Sequence, residues 1–110
     1  MEAVRRGTDL TFTPLFPAGT PVVVTDRAAS LTSEVGWVFG ARLYPAGRFT
    51  LCRYVGEPLP ASEERRVLRH LRRAQEAHAK ATGRGEPEAA FVAARPQVIA
   101  QALRACAPAG

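Results

Sequence analysis

Residues 35–55 read VGWVFGARLYPAGRFTLCRYV, two runs of strand-forming residues around a Pro-Ala-Gly corner. A three-residue turn at Pro45, Ala46 and Gly47 puts glycine at the left-handed position that such loops need. Tyr44 then faces Arg48. On one face the register pairs Leu43 with Phe49, Ala41 with Leu51, Phe39 with Arg53 and Trp37 with Val55. The other face receives Arg42 with Thr50, Gly40 with Cys52 and Val38 with Tyr54. The first face is apolar except for Arg53, and a one-residue slip would scramble that separation. Gly36 and Gly40 read as bulge or close-approach positions within the strand.

Upstream, Leu10, Phe12 and Phe16 alternate with other residues across Pro14, as in an edge strand where proline need not donate to a ladder. Residues 20–26 (TPVVVTD) form a short continuous apolar run, the pattern of a covered strand, and residues 27–34 read as a loop. Downstream of Pro58 and Pro60 the composition changes to Ala, Arg, Leu, Glu and Gln, which is helix chemistry. Residues 61–83 are expected to be an amphipathic helix with Ser62 as its cap, Glu63 and Glu64 in the first turn, and Gly83 and Gly85 as stop signals. Its apolar stripe is Val67, Leu68, Leu71, Ala74 and His78; Arg65, Arg69, Arg72, Arg73 and Lys80 lie roughly opposite. After GRGEP, Pro87 suits a first helical position in a segment over 87–107, where Phe91, Val92, Val98, Ile99, Leu103 and Cys106 recur at helical spacing. Pro96 must kink or split that segment.

These elements predict one domain over 1–110 of the α+β class: a small antiparallel sheet of three to four strands within 8–56, then two helical segments packed on one face. A small SH3-like barrel with C-terminal helices is the alternative, because short strands with glycine bends can curl closed. Leu, Ile, Val and Phe number 25 of 110 residues, enough to clear the roughly 20% level below which chains cannot offset their ordering entropy. No apolar run approaches the roughly 18 residues that cross a bilayer, and neither an apolar stretch nor a cleavage site follows the two N-terminal arginines. A cytoplasmic protein without a membrane partner is expected.

Fifteen basic residues against ten acidic give a net charge of +5, which points toward an anionic partner. Fourteen of the fifteen are Arg and Ala occurs 20 times, a bias that a GC-rich genome also imposes. The absence of Asn and the scarcity of Met, Cys and Gln suit a heat-adapted source. Codon bias does not decide where charges fall. Residues 60–84 carry seven positive and three negative side chains, against eight and seven elsewhere, so the excess is local.

Catalytic parts are few. His70 and His78 are eight residues apart on one helix and differ in direction by about 80°, so they cannot form an adjacent metal pair. His70 is expected to be solvated and His78 to pack at the core edge. Cys52 and Cys106 lack metal-type or redox-type spacing and read as a reduced, buried pair, the alternative being a disulfide that ties the middle of the sheet to the C-terminus. No phosphate loop, nucleophile elbow or zinc-protease motif is present. Neither metal nor cofactor is expected, and catalysis would have to rest on scattered acids such as Asp26 and Glu34.

A non-catalytic binding module is therefore the expectation, with nucleic acid as its ligand. On the hairpin, Arg42 and Arg48 would neutralise phosphates while Tyr44 and Tyr54 stack on bases. On the helix, Arg65, Arg69, Arg72, Arg73 and Lys80 would follow a phosphate backbone. The competing expectation is a homo-oligomeric (dimeric) scaffold or protein-partner module with a solubilising basic face. Its seam would be Trp37, Phe39, Phe91, Ile99 and Leu103.

Overall fold

In the computed structural model, which describes residues 1–107, the N-terminal half forms two antiparallel sheets and the C-terminal half is helical. Strands β1 (Ala3–Arg5), β2 (Asp9–Phe12) and β3 (Val22–Thr25) lie side by side in chain order. β4 (Val38–Ala46) and β5 (Phe49–Leu59) make a separate two-stranded ribbon. This is an α+β arrangement, with no closed barrel among the described residues.

Leu10 pairs with Val24 across β2 and β3, and both are fully buried. Val23 and Thr25 are exposed, so the valine run is covered on one face only. Residues 27–34 hold a short helix, α1 (Arg27–Thr32), where the sequence suggested a loop. Asp26 caps it by accepting from the Ala29 amide at 3.0 Å. The buried Ser30 hydroxyl donates to the Arg27 carbonyl at 2.7 Å and accepts from the Gly7 amide at 2.8 Å, which ties this helix to the β1–β2 turn.

The hairpin register differs from the expected one by three positions. Ala46 pairs with Phe49, Tyr44 with Leu51, Leu43 with Cys52, Arg42 with Arg53 and Ala41 with Tyr54. The turn contains only Gly47 and Arg48, with Gly47 at φ +61° in its first position, as hairpins of the Gly-X type require. Pro45 is thereby drawn into β4, where a two-stranded ribbon always offers an edge for a residue without an N–H. An odd shift transfers the β5 side chains to the other face relative to β4. Tyr54 accordingly leaves the face of Tyr44 and Arg42, and Phe49, Leu51 and Arg53 join it.

A 3-10 turn, Ala61–Glu63, precedes α2 (Glu64–Thr82). The Glu63 amide closes that turn onto the Pro60 carbonyl at 3.0 Å, so Ser62 lies inside it and makes no capping bond. Pro96 splits the last segment into α3 (Glu88–Ala94) and α4 (Gln97–Cys106), and Pro87 sits just outside the first of them.

The helical layer and the ribbon share one core, in which Val38, Leu59, Val67, Leu71, Phe91, Val98, Ala102, Leu103 and Cys106 are buried together with Phe16. Phe39 meets Phe12 edge-on at 5.1 Å and Tyr54 at 5.6 Å, joining the ribbon to the three-stranded sheet. On the opposite side α4 lies directly on the ribbon backbone at Gly40. A Cβ there would fall 2.5 Å from Leu103 Cδ1 and 2.8 Å from the Val55 carbonyl oxygen. The register also shifts between Val38 and Gly40, as the glycine in this strand suggested.

Two substitutions test this packing by urea denaturation. Gly40→Ala is expected to destabilise by about 1–3 kcal/mol through overpacking against α4 and the β5 backbone. Gly47→Val is expected to cost about 1–3 kcal/mol through left-handed backbone strain. Unchanged midpoints for Gly40→Ala would contradict the α4 contact; unchanged midpoints for Gly47→Val would contradict the turn.

Candidate functional site

α2 is a 19-residue helix built largely of good helix formers, with the left-handed Gly83 at its C-terminus. Val67 and Leu71 are buried and Leu68, Ala74 and His78 half-buried, which matches the expected apolar stripe. Arg65, Arg69, Arg72, Arg73 and Lys80 are all exposed. At about 100° per residue these five fall within an arc of roughly 100°, centred opposite the stripe. From Arg65 to Lys80 the row is about 22 Å long at about 1.5 Å per residue.

None of the five makes an ion pair among the described residues, where Arg5 pairs with Asp9, Arg66 with Glu63 and Arg95 with Glu86. Glu76 lies within the basic arc at one-turn spacing from Arg72, Arg73 and Lys80, yet pairs with none of them. Two open grooves run along this face, each of about 480 Å³. One is lined by Arg66, Arg69, His70 and Arg73 of α2 with Ala105 and Cys106 of α4. The other is lined by Arg65, Leu68, Arg69, Arg72, Arg73 and Glu76. Ligand clefts for compact small molecules are mostly apolar and enclosing. Open grooves edged by guanidinium groups suit an elongated anion.

Arg66 and His70 join this surface although spacing did not mark them. His70 is only half-exposed, and its Nδ1 is buried without a hydrogen-bond partner, so it is not the freely solvated side chain expected. His78 is at the core edge, as its position bordering the stripe suggested. Its ring lies 5.8 Å from that of Phe91, and its Nε2 is 2.6 Å from Arg95 Nη2, while the Arg95 guanidinium donates to both Glu86 carboxylate oxygens at 3.1 and 3.3 Å. Glu86 Oε1 also approaches Nε2, at 2.9 Å, so the three side chains converge on one point. The Arg95 guanidinium holds the Glu86 carboxyl below its ordinary range. This cluster fastens residues 84–87 and α3 onto α2.

The residues chosen on the hairpin separate. Arg42 and Tyr44 are exposed on one face, and Arg48 lies in the turn with its guanidinium 5.1 Å from the Phe49 ring centroid. Tyr54 lies on the opposite face, half-buried against Phe39 with its hydroxyl buried and unpartnered. It does not join Tyr44 in a stacking surface. Burial raises the Tyr54 phenol, and burial likewise pushes the neighbouring Cys52 thiol up to about 11. Both cysteines are free, Cys106 buried and Cys52 half-buried. Asp26 is occupied as the α1 cap, and Glu34 is exposed.

The apolar seam expected between copies lies largely inside the chain. Phe91 and Leu103 are buried in its own core, because α3 and α4 cover the ribbon and α2 rather than facing outward. Trp37, Phe39 and Ile99 are half-buried, the first two in the aromatic cluster and the last on Gly40. Phe49, Leu51 and Arg53 emerge instead as surface residues on the ribbon, and the Gly-Arg pair at 47–48 was the sequence feature that could have revealed them.

Among the described residues no group of three or more His, Cys, Asp or Glu is placed to hold a metal ion, and no helix is long and apolar enough to cross a membrane. Compared with known proteins, the chain matches no family model, no curated protein and no solved structure.

Two pH dependences follow. A depressed carboxyl stabilises the fold above its unfolded value near 4.5, and that stability is lost as pH falls through the folded value. Glu86→Gln should therefore lower the thermal midpoint at neutral pH, with the difference from the parent shrinking below about pH 4.5. Cys52 should react slowly with iodoacetamide at about pH 8, and faster as pH approaches about 11, because the thiolate is the nucleophile. A pH-independent gap for Glu86→Gln, or rapid Cys52 alkylation at about pH 8, would contradict these environments.

Proposed function

We propose that the chain is a non-catalytic nucleic-acid-binding module whose main contact is the arginine face of α2. The observation that carries this reading is the row of exposed cations, Arg65, Arg69, Arg72, Arg73 and Lys80, without ion pairs among the described residues and edging two open grooves. A guanidinium already held by a carboxylate must give up that partner before it reaches a phosphate; these groups have none to give up. Arg also presents a planar fork of donors that matches two phosphate oxygens at once. The helix supplies position, since its apolar stripe is fixed in the core and its basic arc must face away.

The competing reading, a homo-oligomeric scaffold or protein-partner module with a solubilising basic face, draws on the exposed Tyr44, Phe49 and Leu51 of the ribbon. It lacks the seam first expected for it, because Phe91 and Leu103 are internal.

Fluorescence anisotropy with labelled nucleic acid across a salt series tests the α2 face. Each phosphate contact releases condensed counterions, so log affinity should fall linearly with log salt. The double variant Arg69→Gln with Arg73→Gln should flatten that slope by about one to two units and leave the circular dichroism spectrum unchanged. Absence of binding to any nucleic acid at about 50 mM salt, or a slope indifferent to both substitutions, retires the reading.

A further inference from the structure

On the face that carries Gly40, α4 covers the base of the ribbon and leaves its tip open. Its base is buried at Val38, Gly40 and Leu59, whereas Tyr44 is 38%, Leu51 43% and Phe49 48% exposed near the turn. Tyr44 and Leu51 stand directly opposite each other, and Phe49 is the diagonal neighbour of Tyr44 on the same face. Arg42 and Arg53, also directly opposed, flank this patch on one side, and Arg48 in the turn flanks it on the other. Residues 38–56 contain three arginines and no Asp or Glu.

We propose that this tip is a stacking platform for single-stranded nucleic acid, in which Tyr44 and Phe49 take bases on their ring faces and Arg42, Arg48 and Arg53 take the adjoining phosphates. The inference deepens the nucleic-acid reading of α2 by naming the strand state of the ligand, and it stands on different residues. Charge selects the occupant. A second copy docked tip to tip would bring three arginines against three with no carboxylate nearer along the strand than Glu57, four residues beyond Arg53, and like charges in register repel.

Area argues the same way. An aromatic side chain offers about 150–250 Å² when fully covered, so three large side chains already half-covered supply roughly 300 Å², far below the roughly 800 Å² per partner of a stable interface. A polyanion with flat aromatic groups meets both features of the surface. The Arg48 guanidinium, planar and 5.1 Å from the Phe49 centroid, occupies the kind of position a base would take over that ring. Paired bases have no free face to offer, so the platform distinguishes single strands from duplex.

Anisotropy titrations with a labelled oligo-dT of about 20 nucleotides and a blunt duplex of about the same length test this. Tyr44→Ala and Phe49→Ala should each weaken single-strand binding by about 5- to 100-fold and leave duplex binding unchanged. Tyr44→Phe, which keeps the ring, should bind as the parent does, and the exposed positions leave the circular dichroism spectrum intact. Equal losses on strand and duplex, no loss on either, or a parent dimer in light scattering that Phe49→Ala dissociates would each overturn the platform. If Arg69→Gln with Arg73→Gln removes binding while the ribbon variants bind the strand normally, the platform falls and the α2 reading stands. If the ribbon variants lose the strand while the α2 variant binds both probes normally, the α2 reading falls and the platform stands. A parent that binds neither probe at about 50 mM salt overturns both.

Discussion

α4 can lie on the ribbon only because position 40 has no side chain. Leu103 and Ile99 occupy the space that a Cβ of Gly40 would need, and the Val55 carbonyl closes it from below. That contact fixes the layer spacing, and the rest of the core follows from it. With α4 seated, Ala102 and Leu103 are buried, and Val98 and Cys106 are buried beside Val67 and Leu71 of α2. α2 is thereby held by its apolar stripe, and its orientation leaves one face for solvent. The same contact sets where the ribbon stops being covered, since Arg42 and Tyr44 lie just beyond Gly40 on the same side of β4.

The molecule is thin, extending only 18 Å along its shortest axis against 47 and 38 Å along the others. A thin body has much surface for its volume, so many side chains must be compatible with water. Arginine meets that demand on α2 at little conformational cost, because its long unbranched stem suits a helix. Phe91 and Leu103, which would otherwise have formed a seam, are consumed internally. The outside includes a basic helix face and, on one face of the ribbon tip, two rings, a leucine and three arginines.

How far the sequence could be read follows the range of the forces involved. The split into a strand half and a helical half, the two faces of α2 and the break at Pro96 depend on local periodicity and backbone chemistry, and these were legible. The hairpin register was not. Pro45, Ala46 and Gly47 satisfy a three-residue loop, while Gly47 and Arg48 satisfy a two-residue one, and the choice rests on pairing along the whole ribbon and on its packing at Gly40. That ambiguity moved Tyr54 off the candidate surface and put Phe49, Leu51 and Arg53 on it. The short α1 escaped because its stability comes from tertiary bonds of Ser30 and the Asp26 cap rather than from its own propensity. Whether an apolar stripe faces its own core or a partner is likewise a tertiary fact, and Phe91 illustrates it.

The distribution of charge connects the fold to its surface chemistry. The helix dipole at the start of α2 is met by Glu64 in the first turn and by Glu63 just before it, and Glu63 also pairs with Arg66, so compensation at that end is local. Further along the helix the compensation stops, and on the ribbon Arg42 confronts Arg53 across the strands. Such like-charge contacts work against the free chain, by an amount that salt reduces because exposed charges are screened beyond about 8 Å at physiological ionic strength. An anion placed among them removes the repulsion and adds attraction at the same positions. The arginines that least help the isolated fold are therefore the ones with the most to gain from a phosphate, and they lie where α4 leaves α2 and the ribbon open to solvent.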